Sequence, residues 1–235
     1  GVILVGGRSG VPTELIGHLH AATAWPIVAD PVSGMRSMPG SISTADALLR
    51  YRAFADAHRP DVIVRVGRPA SSKVLAQWAA ASGAVVVQVG GPGIIDPERN
   101  VTAVCPIDDV LIAVRAPRPS TSRSWFDAWR RADESADRAI AAELAGHSTL
   151  TEPSVARTVA SALTDGAVLT VASSMPVRDL EWFGGRAAVA HANRGANGID
   201  GVVSTALGRA LDGRPSVVLI GDLAFVHDSN ALVGL

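Results

Sequence analysis

Cysteine, net charge and long apolar segments are all scarce in this chain of 235 residues. Cys105 is its one cysteine, which excludes a disulfide framework or a thiolate metal site within a single chain. The formal net charge of -1 provides no basic surface for a nucleic acid or an anionic membrane, so no nucleic-acid partner is expected. The longest apolar tract, residues 79–89, is interrupted by Ser82, Gly83 and Gln88. It is too short to span a bilayer, so no integral membrane segment is expected.

The composition is that of a compact protein. Hydrophobic residues make up 48% of the chain and charged residues 18%, a balance typical of folded domains. No positively charged segment precedes an apolar one at the start, so we predict a cytoplasmic location. The chain starts in a strand-like run without a methionine and stops inside an apolar pattern at residues 231–235. We therefore interpret it as a piece of a longer protein.

The first half alternates strand-like and helix-like segments at the spacing of βαβ units. Strands are predicted at residues 2–5, 26–29, 62–66, 84–89 and 101–104, and helices at residues 13–22, 44–57 and 72–81. This order predicts an α/β domain with a doubly wound parallel sheet over residues 1–118.

A glycine-rich segment, residues 6–10, follows the first predicted strand. Its position suggests a dinucleotide-binding loop, and a nucleotide-dependent oxidoreductase is one alternative function. The segment lacks the spacing G-x-G-x-x-G, however, and Pro12 with Thr13 resembles an ordinary helix start. Tight-turn glycines are the preferred interpretation, although the helix start could still hold an anion.

The second half begins after a linker rich in proline and serine at residues 116–122. Residues 119–150 are interpreted as this linker and a connecting helix over 125–144, in which the tryptophans serve as packing anchors. Residues 151–235 are predicted to form a second, incomplete α/β domain. Its strands are expected at residues 167–171, 187–190 and 216–221, and its helices after Thr151 and at residues 199–210.

Polar loops follow all three strands of the second half, and parallel strands would bring these loops to one edge of the sheet. Ser173 and Ser174 stand where hydroxyl and backbone N–H groups can hold phosphate. Arg178 and Arg194 could converge on one carboxylate, or each could be an ordinary solvated arginine. Asp222 is equally consistent with a helix cap and with a ligand for Mg²⁺. The residues alone leave these alternatives open.

Two further features of the second half bear on the site. Residues 193–201 are unusually glycine-rich, which lets a backbone approach a ligand closely. His191 and His227 lack the spacing of a transition-metal site, so both are interpreted as structural.

Three long segments of the second half, residues 172–185, 192–208 and 217–232, closely resemble the 2-succinyl-5-enolpyruvyl-6-hydroxy-3-cyclohexene-1-carboxylate (SEPHCHC) synthase family. The members of this family are thiamine-diphosphate transferases of menaquinone biosynthesis. The resemblance implies two doubly wound α/β domains here, the central domain and the first part of the diphosphate-binding domain. It also implies thiamine diphosphate as cofactor, with Mg²⁺ or Mn²⁺.

The resemblance assigns roles to individual residues. Asp222, between Gly221 and Leu223, opens the diphosphate motif and is expected to ligate the metal. Ser173 and Ser174 are expected at the diphosphate, with Ser174 also near the substrate. Ile199 is expected to hold the cofactor in its bent form. Acidic substrates, 2-oxoglutarate and isochorismate, are expected to contact Arg178, Arg194 and Lys73, although a solvated lysine at a helix start explains Lys73 equally well.

Some parts that the family requires are missing from this chain. The second metal ligand would lie beyond residue 235, and the activating glutamate would belong to a pyrimidine-binding domain of a partner subunit. No catalytic residue is therefore expected in this segment, which alone should be inactive, and the complete enzyme should be a homodimer or homotetramer. The alternatives are another thiamine-diphosphate 2-oxo acid decarboxylase or carboligase, and a regulatory module that binds a metabolite through Arg65 and Arg68.

Overall fold

Two parallel sheets organise the computed structural model, which describes residues 1–115, 123–164, 166–186, 189–193 and 198–233. The strands are β1 (Val2–Val5), β2 (Ile27–Ala29), β3 (Ser41–Ile42), β4 (Val62–Val66), β5 (Val85–Val89), β6 (Val101–Val104), β7 (Val168–Val171), β8 (Ala190–His191) and β9 (Ser216–Leu219). The helices are α1 (Thr13–Thr23), α2 (Ala45–Arg50), α3 (Arg52–Ala57), α4 (Lys73–Ala81), α5 (Ile107–Arg115), α6 (Ser124–Gly146), α7 (Glu152–Ala162), α8 (Met175–Phe183), α9 (Val202–Ala210) and α10 (Asp222–His227). The predicted α/β class with parallel sheets is confirmed.

The first unit, residues 1–115, contains the six-stranded sheet in the order β3-β2-β1-β4-β5-β6, with every pairing parallel. All four residues of β1 are buried, as expected for a central strand that is covered on both faces. The chain first builds outward from β1 to β3 and then continues on the other side with β4. The carboxyl ends of β1 and β4 therefore flank the point where the winding direction changes.

Apolar side chains cover both faces of this sheet. One face packs against α1 and α5 through Ile16, Leu19 and Leu111, and the other packs against α2, α4 and α6. Trp129 of α6 is fully buried at the centre of the second cluster. Rings from Phe54, His58, Trp78 and Trp125 surround it, with centroids at 5.0, 5.6, 5.8 and 6.3 Å. Helix α6 thus packs onto the first unit, and its tryptophans are packing anchors.

Several predicted elements differ in extent from the observed ones. The helix over residues 44–57 is two helices, because Tyr51 takes an extended conformation (φ -81°, ψ 101°) between α2 and α3. The helix expected from residue 199 begins at Val202, after Gly201 in the left-handed region with φ 67°. Only Ala190 and His191 form the strand expected at 187–190, of which residues 187 and 188 lie outside the described residues. The predicted linker, 116–122, also lies outside them.

The second unit, residues 151–233, contains the three-stranded sheet in the order β8-β7-β9, again fully parallel. As expected, the carboxyl ends of its strands therefore lie on one edge. Arg36 connects the two units, since its buried guanidinium donates hydrogen bonds to five carbonyl oxygens. These belong to Ala29 and Ser43 of the first unit and to Leu180, Glu181 and Gly185 of the second.

None of the described helices combines the length and the apolar character that crossing a bilayer requires.

Candidate cofactor site

A cavity of about 550 Å³ opens at the carboxyl edge of the second sheet, between the start of α8, the end of β9 and the start of α7. We call it the strand-end cavity. Five of the residues singled out from the sequence line it, namely Ser174, Ile199, Gly221, Asp222 and Leu223. They come from three separate loops, and the parallel arrangement of the strands is what brings them together.

Asp222 is the first residue of α10 and its side chain is exposed. One carboxylate oxygen, Oδ1, accepts the N–H of Leu223 at 2.8 Å, whereas no partner among the described residues occupies Oδ2. The N-cap position of this helix belongs to Gly221, so Asp222 is not the capping residue. A carboxylate oxygen open to a cavity is a suitable ligand for a hard cation such as Mg²⁺.

Ser173 and Ser174 lie between the end of β7 and the start of α8. The hydroxyl of Ser173 is buried and has no hydrogen-bond partner among the described residues, a state that costs free energy unless a ligand or water satisfies it. Ser174 is the N-cap residue of α8, and its side chain makes no capping bond. The hydroxyl of Ser174 is therefore open to a phosphate oxygen in the cavity, and the buried hydroxyl of Ser173 lies next to it in the chain. Of the first-turn N–H groups, that of Val177 already donates to the carbonyl oxygen of Ala172, and Pro176 has none.

The rest of the cavity combines an apolar wall with two acids that the sequence did not single out. Ile199 lies half-buried in the turn before α9 and forms this wall together with Leu219 and Leu223. Asp179 of α8 is 4% exposed, and burial together with the nearby charge of Glu152 raises the pKa of its carboxyl. Asp179 sits between buried Val177 and Leu180 in the helix, and that apolar context is the one sequence signal that could have indicated its burial.

These residues fit a diphosphate-bearing cofactor with a bound divalent cation. The orphaned Ser173 hydroxyl suits a phosphate oxygen, and the free oxygen of Asp222 suits the cation. The acids Glu152 and Asp222 would repel a diphosphate that lacked a cation. Among the described residues, no three His, Cys, Asp or Glu side chains form a group that could hold a metal ion.

The remaining predicted site residues lie away from this cavity or outside the described residues. Arg178 is exposed on α8 and does not line the cavity, because its neighbour Asp179 occupies the inward side of the helix. Lys73 is the exposed first residue of α4 in the first unit. Arg194 lies outside the described residues. The convergence of Arg178 and Arg194 on one substrate therefore stays a prediction.

Two alternative sites meet structural obstacles. Two glycines of the segment 6–10 are packed against neighbouring loops, since a Cβ added to Gly6 would lie 1.8 Å from the carbonyl oxygen of Arg68 and one added to Gly7 would lie 3.0 Å from Val32. Gly6 is thus required for loop packing and does not cradle a dinucleotide. Arg65 is buried, and its Nη2 donates to Gln88 and to the carbonyl of Ile95. Its Nη1 lies 3.7 Å from Asp96, so internal partners occupy both Nη atoms, whereas its buried Nε has no partner among the described residues.

Comparison with known proteins identifies the family. Residues 1–171 match the family described as "Middle domain of thiamine pyrophosphate". SEPHCHC synthase of Myxococcus xanthus is 39% identical over 99% of this chain and 42% of its own length. The synthases of Halobacterium salinarum (38% identical, 97% of this chain, 40% of the relative) and Listeria innocua (35%, 89% and 38%) are also similar. The chain spans about two fifths of the length of these curated relatives.

The resemblance to SEPHCHC synthases that the three segments predict is therefore confirmed. Since the matched family covers well over half of the sequence, the chain belongs to the middle-domain family of thiamine pyrophosphate enzymes.

Proposed function

We propose that this chain is part of a SEPHCHC synthase, which decarboxylates 2-oxoglutarate and adds the remaining four-carbon unit to isochorismate with release of CO₂. The observation that carries the proposal is the strand-end cavity, where Ser174, Ile199 and Asp222 meet at the carboxyl edge of the sheet. The similarity to synthases with that name, at 35–39% identity, supports the choice of reaction.

Each residue of the strand-end cavity has a distinct task in this proposal. Asp222 binds Mg²⁺, which offsets the charge between the diphosphate and the cavity acids. Ser173 and Ser174 donate hydrogen bonds to the phosphate oxygens, and Ile199 packs against the apolar part of the cofactor. When bound, thiamine diphosphate supplies the carbon nucleophile that the decarboxylation of a 2-oxo acid requires.

Both substrates are acidic, and this chain contributes basic residues toward them. Arg178, Arg194 and Lys73 are proposed to bind substrate carboxylates, where a guanidinium can form two parallel hydrogen bonds. Their contribution to the rate is positioning. The activating glutamate and the second metal ligand are proposed to come from other parts of a homodimer or homotetramer. This chain alone should therefore bind and position ligands without catalysing the reaction.

Cofactor binding tests the site directly. The purified chain is titrated calorimetrically with thiamine diphosphate, with MgCl₂ and with EDTA. We expect binding to depend on Mg²⁺, and Asp222→Ala to weaken it at least about tenfold, because a charge-assisted contact contributes roughly 1.5–3 kcal/mol. Asp228→Ala is the matched control, since Asp228 lies six positions further on, binds Ser204 and does not line the cavity. Equal losses in both variants would contradict the assignment of Asp222.

The choice of reaction requires a second measurement. A protein that carries this chain together with the domains expected beside it is assayed for CO₂ release and for product with 2-oxoglutarate and isochorismate. Asp222→Ala should abolish both, whereas Asp228→Ala should retain them. Release of CO₂ from 2-oxoglutarate without addition to isochorismate would instead favour another decarboxylase or carboligase of the thiamine-diphosphate class.

A further inference from the structure

A second cavity of about 580 Å³ lies between the two units, at the point in the first sheet where the winding direction changes. We call it the interdomain cavity. Open α/β sheets bind ligands in the crevice outside the carboxyl ends of their strands at such a point. Arg8 follows β1 and Arg68 follows β4 on one side of this cavity, and Arg209 of α9 closes it from the second unit. The cavity shares no lining residue with the strand-end cavity.

The lining of the interdomain cavity is strongly basic. Arg8, Arg68, Arg209 and His191 line it, and its one acid is Asp30. Both oxygens of Asp30 are already used, because Oδ1 accepts the N–H of Val32 and Oδ2 accepts the N–H and the hydroxyl of Ser71. This carboxylate holds the loop structure and can offset only one of the three guanidinium charges, so the lining keeps a net positive charge.

Two of the arginines have features that packing alone does not explain. Arg8 holds a left-handed backbone conformation with φ 55°, which is uncommon for a residue other than glycine and often marks a functional loop. Its side chain is exposed. Arg209 is half-buried, and its Nε is a buried donor without a partner among the described residues. An unpaired buried N–H of this kind is costly unless a ligand or water accepts it.

We propose that the interdomain cavity binds a small organic polyanion, whose phosphate or carboxylate oxygens are held jointly by Arg8 of the first unit and Arg209 of the second. Guanidinium groups suit such oxygens because they can donate two parallel hydrogen bonds. The size of the cavity falls within the range of small-molecule sites. Since the two arginines come from different units, the bound anion would also connect the units.

His191 provides a second readout of the bound anion. Burial, together with the charges of Arg209 and Arg214, lowers the pKa of its imidazole, and Arg8, Arg68 and Asp30 line the same cavity. A bound anion would offset these positive charges and raise the pKa again. Binding should therefore take up a proton and become tighter as the pH falls.

The test is calorimetric titration of the purified chain with inorganic pyrophosphate and, separately, with citrate, in EDTA so that no cation bridges anions to Asp222. We expect saturable binding of at least one probe. Tighter binding of pyrophosphate would indicate a phosphate ester as the natural anion, and tighter binding of citrate would indicate a carboxylate. Arg8→Ala and Arg209→Ala should each weaken binding at least about tenfold. Arg52→Ala, at a side chain 94% exposed on the first unit, should change it less than about twofold.

Further controls separate this proposal from the proposed function. Asp222→Ala should leave probe binding intact, because the two cavities share no residue. An NMR titration of the His191 ring should show its pKa rising when the probe is saturating, and circular dichroism checks that each variant is folded. Absence of saturable binding, or equal affinity in the wild type, Arg8→Ala and Arg209→Ala, would overturn the interdomain site without touching the cofactor assignment.

Discussion

The two sheets of this protein differ in how completely their strands are covered. In the first unit β1 is buried along its whole length, and apolar clusters cover both faces of the sheet. In the second unit a single cluster covers β7, while the residues of β9 are exposed or half-buried. Helix α10 beside it exposes 74% of Leu223 and 69% of Val226. Apolar side chains therefore cover less of the second sheet than of the first.

The loops at the carboxyl ends of the strands can be compared between the two sheets as well. The loops after β1 and β4 of the first sheet touch where Gly6 meets the carbonyl of Arg68, and they also line the interdomain cavity. The corresponding loops of the second sheet line the strand-end cavity, and the buried hydroxyl of Ser173 beside it has no partner among the described residues. We infer that, within this chain, the first unit contributes more of the folding free energy than the second.

Removal of the central tryptophan of the first unit should have the largest effect. Trp129→Ala is expected to lower the free energy of unfolding by about 3–5 kcal/mol. The substitution leaves a cavity where the fully buried indole packs against the rings of Phe54 and Trp78. Leu223→Ala is the control in the second unit and should change it by less than about 0.5 kcal/mol, since that side chain is 74% exposed. Urea unfolding followed by circular dichroism measures both. A similar cost at the two positions would refute the contrast between the units.

Loss of the connection between the units should come next. Arg36→Met leaves five buried carbonyl oxygens without their donor, so we expect a cost on the order of 3 kcal/mol. Three of these carbonyls lie at the end of α8, so the second unit should lose its support first and thermal unfolding should split into two transitions. Arg36→Lys should recover part of the loss. The control is Arg52→Met, whose side chain is exposed and should be neutral. A single unchanged transition in Arg36→Met would show that other contacts hold the units together.

The sequence predicted the first unit well because its signals are local. Apolar runs of four or five residues bounded by glycine and proline correspond to β1, β4 and β5, and the parallel order follows from their alternation with helices. Helix α5 was missed, although Ile107, Val110, Leu111 and Val114 have helical spacing after Pro106. This helix has only nine residues, and the strand predicted at residues 101–104 lies directly before it.

The rule that parallel strands gather their loops predicted that Ser174 and Asp222 lie at one edge of the sheet, and both line the strand-end cavity. Ile199, which also lines it, was expected there only from the family resemblance. Asp179 and Arg209 could not be predicted in the same way. Each is a charged residue on a helix, where exposure is the usual outcome, and its burial depends on an element distant in sequence. Tertiary packing of α7 on α8 buries Asp179, and no local pattern encodes that contact.

The smallest of these effects should come from Asp179 and should depend on pH. Burial and, secondarily, Glu152 raise the pKa of this carboxyl above its unfolded value, so the folded state keeps the proton to higher pH. As the pH rises through this window the unfolded state ionises first, and Asp179 increasingly destabilises the fold. Asp179→Asn should therefore gain stability relative to the wild type between about pH 4 and neutrality. Glu152→Gln should act in the same direction but less, because burial is the larger cause. Urea unfolding across this range measures both, and a difference that stays constant with pH would contradict the raised pKa of Asp179.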